Sequence, residues 1–171
     1  MQERSGLVTF MGNPLTLLGP ELKAGQPAPD FTALDNDLNP KGLKDFAGKV
    51  LVISSVPSLD TPVCDLQTRR FNAEATALGA QVQILTLSMD LPFAQKRWCG
   101  AAGAQALLTL SDHREASFGL AYGLLIKELR LLARAVLVVD LGGKIAYRQL
   151  VGEVTQEPDY QAAIQAVRAV L

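Results

Sequence analysis

An α/β fold around a mixed sheet is what this chain of 171 residues predicts, on three observations. Lys49–Val56 and Val82–Ser88 are β-branched runs of the kind buried on both faces of a parallel sheet, with a helical period in the stretch between them. Ala133–Asp140 and Lys144–Val151 flank Leu141-Gly142-Gly143, the pattern of a hairpin. With 49% of residues hydrophobic and 19% charged, the chain fills one well-buried core, and its length would be strained by a second, so residues 1–171 are expected to form a single domain.

The N-terminus reads as a hairpin, Leu7–Phe10 and Leu15–Leu18 around Gly12-Asn13-Pro14. A Pro-containing connection, Gln26–Asp30, and a short extended piece from Phe31 lead into the strand Lys49–Val56. A helix is predicted from Thr61 to about Leu78, because Val63, Leu66, Phe71, Ala75 and Leu78 fall on roughly one face. Val82–Ser88 completes a βαβ unit. Asp90 is placed to cap a second helix through Pro92 to about Cys99, ended by Gly100 and Gly103. Ala106–Leu110 reads as a short extended segment and Ala116–Tyr122 as a short helix. After the late hairpin, Asp159–Leu171 forms a terminal helix with Tyr160, Ala163, Ile164, Val167 and Val170 on its apolar face. The order β-α-β-α-β-β-α is that of a thioredoxin-like fold carrying an N-terminal β-hairpin extension. Fold alone does not establish function.

A formal charge of −1 with acidic and basic residues interspersed leaves no footprint for nucleic acid or an anionic membrane surface. The most apolar runs, Val50–Val56 and Ala135–Val139, fall far short of the roughly 18 residues that span a bilayer, so a soluble protein is expected. Met1–Ser5 lacks a basic leader and the apolar stretch from Leu7 is broken at Gly12, so the expected location is cytoplasmic. Two cysteines are too few for the disulfide framework of a small secreted domain, whereas a cytosolic pair is more often catalytic or redox-active. No metal is expected, because Cys64, Cys99 and His113 lack paired ligand spacing and supply only three N/S donors. Gly142-Gly143-Lys144 sits where a hairpin must turn and lacks the spacing of a phosphate loop.

Cys64 is the informative residue. Thr61 is a good helix cap and Pro62 suits the first helical position, where a missing N–H costs nothing, so Cys64 falls at the third position. There its sulfur lies at the positive end of the helix dipole, which favours an anion. That dipole supplies only about 0.3 to 2 kcal/mol. Asp60 and Asp65 would oppose ionisation if they faced the sulfur, so another cation or strong hydrogen bonds are required. Sequence proximity does not identify that cation: Arg69 and Arg70 lie more than a turn away, whereas Arg134 opens a later core strand and could approach through the fold. Each residue also has a plain structural reading: Cys64 as a small buried hydrophobe, Thr61 as a cap, Pro57 as a strand terminator. A dithiol oxidoreductase would carry C-x-x-C, which is absent, and a redox sensor would use the same cysteines stoichiometrically.

Pro57-Ser58-Leu59-Asp60-Thr61-Pro62-Val63-Cys64 resembles the PxxxTxxC active-site motif of peroxiredoxins, and its context is similar to the thiol peroxidase subfamily of atypical two-cysteine peroxiredoxins. The likeness continues through Asp65–Asn72, Asp90–Gln95 with Arg97, Cys99 and Gly100, Ala133–Val136, Glu157–Tyr160 and the N-terminal Phe10–Pro14. It implies that Cys64 is the peroxidatic cysteine and Cys99 the resolving one, joined as a Cys64–Cys99 disulfide during turnover. It further implies that Thr61 and Arg134 orient peroxide and stabilise thiolate, and that Pro57 shields the sulfur. Hydrogen peroxide and organic hydroperoxides would be substrates, thioredoxin the reductant, a homodimer the usual assembly, and no metal, haem or flavin cofactor is implied. Lys96 and Trp98 depart from the pattern, which has a small polar residue and a smaller aromatic there. Because the two cysteines lie near the ends of different helices, local unwinding is expected before they can bond.

Overall fold

The run Val50–Ser55, buried at every position, lies near the middle of a seven-stranded sheet in the computed structural model, which describes residues 1–171. In chain order the elements are β1 (Glu3–Phe10), β2 (Asn13–Leu18), β3 (Ala33–Leu34), β4 (Pro40–Lys41), β5 (Val50–Ser55), α1 (Pro62–Leu78), β6 (Val82–Ser88) and α2 (Pro92–Ala102). They continue as β7 (Leu108–Ser111), α3 (Ser117–Ala121), β8 (Leu125–Ile126), β9 (Ala135–Val139), β10 (Ile145–Leu150) and α4 (Tyr160–Ala169). The main sheet has the order β10-β9-β5-β6-β7-β3-β4, with β5, β6 and β7 parallel and β9 antiparallel to β5. This is the thioredoxin-like arrangement, and β1, β2 and β8 form a separate small sheet. No helix is long and apolar enough to cross a membrane.

Alternation along β5 divides the core between the two faces of the sheet. Leu51 and Ile53 join Leu85, Leu87, Phe118 and Tyr122 on one side, while Val50 and Val52 join Phe71, Leu78, Ile164 and Val167 under α1 and α4 on the other. A third, smaller cluster of Val56, Leu59, Cys64, Trp98 and Ala104 forms beyond the end of β5. The sheet therefore ends where the candidate site begins.

Several sequence expectations shift. β1 starts at Glu3 and bulges between Ser5 and Val8, and β3, β4 and β8 are two-residue strands too short to leave a periodic signal. Helix α2 passes through Gly100 and ends at Ala102, where Gly103 takes a left-handed conformation at φ +64. Asp90 does not cap α2, whose N-cap is Leu91; its carboxylate instead accepts from the Ser58 hydroxyl (2.7 Å), the Leu59 amide (2.8 Å) and the Ser88 hydroxyl (2.7 Å). Asp90 thus staples the loop after β5 to the end of β6. The buried face of α1 is Cys64, Gln67, Thr68, Phe71 and Leu78, and Leu66 points to solvent. Asp159 does cap α4, accepting from the Ala162 amide at 2.9 Å, and that helix ends at Ala169.

Asp112 carries the loop into α3. It is buried, and its two carboxylate oxygens accept from the amides of Phe118 (2.9 Å) and Gly119 (2.8 Å). Burial pushes its carboxyl up to about 6 against the pull of those amides. A folded-state value above the unfolded one means that stability from this group is complete below about pH 4 and is lost as pH rises through about 6. Asp112→Ala, which strands two buried donors, is expected to lower unfolding free energy by about 1 to 3 kcal/mol in urea titrations. The loss should be larger near pH 4.5 than near pH 7.5.

Candidate active site

Helix α1 begins where the sequence requires. Pro62 occupies its first position, Thr61 is the extended residue before it, and Cys64 sits at the third position with none of its surface exposed. The Thr61 hydroxyl does not cap the helix, however. It donates to the Ser58 carbonyl at 2.8 Å, leaving its oxygen lone pairs toward solvent. First-turn amides contribute their dipole to the sulfur's surroundings, but none hydrogen-bonds to it.

Arg134 supplies the missing cation. It precedes β9, whose Ala135 pairs with Ser55 at the end of β5, and so arrives at the strand end from which the Cys64 loop departs. The guanidinium is 1% exposed and donates from Nη2 to Cys64 Sγ at 3.3 Å. Its other bonds go to neutral oxygens: Nε and Nη2 to the Val154 carbonyl at 3.0 and 2.7 Å, and Nη1 to Gln67 Oε1 at 2.8 Å. Gln67 is fixed in turn by donating to Ser54 Oγ at 2.8 Å. No carboxylate neutralises Arg134, so its charge is available to the sulfur. At 3.3 Å, Coulomb attraction between a thiolate and this cation is of order 5 kcal/mol at an effective dielectric of about 20, before solvation costs. The guanidinium is also the one donor that touches Sγ directly.

The two nearby carboxylates are turned elsewhere. Asp65 accepts from Arg69 Nε at 2.9 Å and from the indole Nε1 of Trp98 at 2.8 Å. Asp60 faces Arg97 at 3.4 Å, and Arg70 pairs with Glu74 at 3.3 Å. Neither Arg69 nor Arg70 is free to serve Cys64, as their distance along the helix suggested.

A cavity of about 410 Å³ opens beside Arg134 and the start of α1, and Cys64, fully buried, is not among the residues that line it. Pro57, Thr61, Pro62, Val63 and Arg134 form one wall, while Leu129, Leu131, Phe10 and Met11 line the remainder. Phe10 and Met11 stand at the β1–β2 turn, which is held over the cavity by Glu153. That carboxylate accepts from Thr9 Oγ1 (2.6 Å) and the amides of Met11 (3.0 Å) and Gly12 (3.2 Å), and the Thr9 hydroxyl, first among these, holds it down to about 2. The wall is apolar apart from Thr61, Arg134 and Thr155, so it suits a small organic molecule entering with a polar end toward Arg134.

Three predicted residues, Pro57, Thr61 and Arg134, therefore line this cavity, and Cys64 joins them through the hydrogen bond from Arg134. Cys99 lies apart from the cavity on α2, with Sγ 3.4 Å from the Thr109 hydroxyl of β7. It packs against the cluster that contains Cys64, and both sulfurs are free thiols. His113 bonds to Ser111 Oγ at 2.9 Å and approaches neither cysteine. Sequence reasoning missed Gln67, Val154 and Asp90. Gln67 left a usable signal, since it follows Cys64 by three residues and so shares its helical face. A backbone carbonyl such as that of Val154 leaves none.

The Redoxin family model matches residues 23–164. The chain is 58% identical over 164 residues to the thiol peroxidase of Halalkalibacterium halodurans, covering 96% of this chain and 98% of that one. It is 56% identical over 164 residues to the thiol peroxidase of Bacillus subtilis, covering 96% and 98%. Among solved structures, a peroxiredoxin-like protein from Aquifex aeolicus superimposes with a TM-score of 0.91 at 42% identity, over 98% of this chain and 99% of that one. The thiol peroxidase from Chromobacterium violaceum shares the fold, with a TM-score of 0.84 at 19% identity over 95% of each chain.

Proposed function

From the premise that this chain belongs to the Redoxin family, and within it to the thiol peroxidases, peroxiredoxin-type enzymes, we propose that Cys64 is the sulfur that reduces the peroxide. The observation that carries this reading is the un-neutralised Arg134 guanidinium 3.3 Å from Cys64 Sγ. As a thiolate, Cys64 attacks the terminal oxygen of a hydroperoxide in line. An S–O bond forms, the O–O bond breaks, and the electron pair leaves on the distal oxygen, which takes up the proton lost by the thiol and departs as water or alcohol. Cys64 becomes sulfenic acid. Arg134 stabilises charge that spreads along the S–O–O line. Thr61, whose hydroxyl proton is engaged by Ser58, accepts the hydroperoxide O–H and fixes its angle, and Pro57 keeps water from the sulfur.

Cys99 then attacks the sulfenic sulfur. The Cys64–Cys99 bond forms, hydroxide leaves and is protonated to water, and the disulfide halts further oxidation. Thioredoxin reduces the disulfide, in a cytoplasmic homodimer that needs no metal or organic cofactor. Hydrogen peroxide and organic hydroperoxides both serve, and the apolar cavity favours the latter. The test is peroxide-dependent NADPH oxidation with thioredoxin reductase and thioredoxin, comparing hydrogen peroxide with cumene hydroperoxide. Absence of turnover with either peroxide would reject the proposal. In Cys99→Ser, Cys64 is expected to lose its thiol at the wild-type rate and then stop after about one turnover, as counted by burst amplitude against enzyme concentration.

A further inference from the structure

The two cysteines are each neighbours in the chain of the two ends of one hydrogen bond. Asp65 follows Cys64, Trp98 precedes Cys99, and the Trp98 indole Nε1 donates to Asp65 Oδ1 at 2.8 Å. Arg69 closes the arrangement. Its Nε reaches both Asp65 oxygens at 3.0 and 2.9 Å, and its guanidinium carbon lies 5.6 Å from the centre of the Trp98 ring. Trp98 is only 8% exposed and packs with Val56, Leu59 and Cys64 itself. The indole thus fills the ground between the two helices.

Helix geometry gives this contact a consequence. Successive residues of an α-helix project about 100° apart, so a Trp98 directed at α1 turns Cys99 away from it. Cys99 accordingly points its sulfur toward Thr109 on β7. In this arrangement the indole, not the Cys99 sulfur, faces Asp65 on α1.

We propose that the Trp98–Asp65–Arg69 clasp sets the rate at which Cys99 reaches oxidised Cys64, with Trp98 as a positioning residue for disulfide formation. The proposal rests on the peroxidase reading above, in which Cys99 bonds to oxidised Cys64 and water leaves; with the indole facing α1, that approach requires Trp98 to turn aside. Release requires parting a charge-assisted hydrogen bond and withdrawing a buried indole, and the sulfenic acid persists meanwhile. A slow release exposes Cys64 to a second peroxide, whose oxygen transfer gives sulfinic acid and one molecule of water or alcohol.

Trp98→Phe keeps a ring beside α1 and deletes the N–H. Asp65→Asn keeps the indole and removes the charge that holds it and Arg69. Each variant is mixed with one equivalent of hydrogen peroxide, quenched with an alkylating reagent at intervals, and resolved by mass into thiol, sulfenic and disulfide forms. Disulfide formation is expected to accelerate about tenfold in Trp98→Phe, with Asp65→Asn also faster than wild type, and sulfinic acid at excess peroxide should fall in step. The initial loss of the Cys64 thiol should be unchanged in Trp98→Phe, which a general loosening of the fold would not leave intact. Trp98 is the single tryptophan of the chain, so wild-type fluorescence should change with disulfide formation and not with the earlier loss of thiol. Disulfide rates at or below wild type in both variants would overturn the clasp. Failure of wild-type Cys64 to react with peroxide at all would overturn the peroxidase reading instead, so the two failures are distinct.

Discussion

Cys64→Ser is expected to abolish peroxide turnover, by at least about 1,000-fold, while leaving the fold in place. Serine differs from cysteine by one atom, so the third position of α1 and the cluster around it accommodate the change. The chemistry does not. A hydroxyl is a far weaker acid than a thiol, and oxygen attacks a peroxide oxygen poorly even when ionised. A factor of about 1,000 corresponds to roughly 4 kcal/mol of transition-state stabilisation, the scale expected of the reacting atom itself. The measurement is kcat/KM for hydrogen peroxide in the coupled assay, with circular dichroism and the thermal midpoint as controls for folding. Appreciable turnover in a folded Cys64→Ser protein would place the reaction elsewhere.

Replacing Arg134 by methionine is the second large effect, and it acts on rate and stability together. The rate should fall by about 100- to 1,000-fold, because a fixed donor is removed from the place where charge redistributes. Stability should fall by about 1 to 3 kcal/mol, because Gln67 Oε1 and the Val154 carbonyl each lose a buried donor. Arg134→Lys separates the two contributions. Lysine keeps the charge but cannot present the planar fork that meets Sγ, Gln67 and Val154 at once, so its rate should lie between arginine and methionine. The rate of Cys64 alkylation by iodoacetamide near neutral pH should fall in the same order. A folded Arg134→Met enzyme with wild-type kcat/KM would remove the guanidinium from the mechanism.

Local chemistry explains which parts of this site were legible in the sequence. Thr61, Pro62 and Cys64 are consecutive helix-entry residues, so position within the first turn follows from their identities alone, and the structure keeps that register. Arg134 is legible only as the residue before an apolar strand. Its contact with Cys64 depends on β9 lying against β5, a pairing across some 80 residues that no local pattern encodes. Asp90 shows how a local signal misleads. Asp two residues before Pro reads as a cap, but the Ser58 hydroxyl and the Leu59 amide compete for the same carboxylate and win. Periodicity puts Leu66 in the core, yet the inward face of α1 is given to Gln67 and Thr68. Those polar residues serve Arg134 and the Cys64 carbonyl, which accepts from Thr68 Oγ1 at 2.8 Å. The hydrogen bonds of the site thus take inward positions from the hydrophobic stripe, and short strands such as β8 are formed by partners that the sequence places far away.

The pairing of Ser55 with Ala135 has a bearing on heat inactivation. The loop that carries the thiol leaves β5 at this rung and Arg134 immediately precedes it on the β9 side, so fraying of peripheral segments such as β1 or α4 leaves the anchors of both in place. Parting those strand anchors takes cooperative melting of the central sheet. The temperature at which activity disappears should therefore coincide with the calorimetric transition of the whole molecule, with no earlier phase in which an intact protein has already lost its reactive pair.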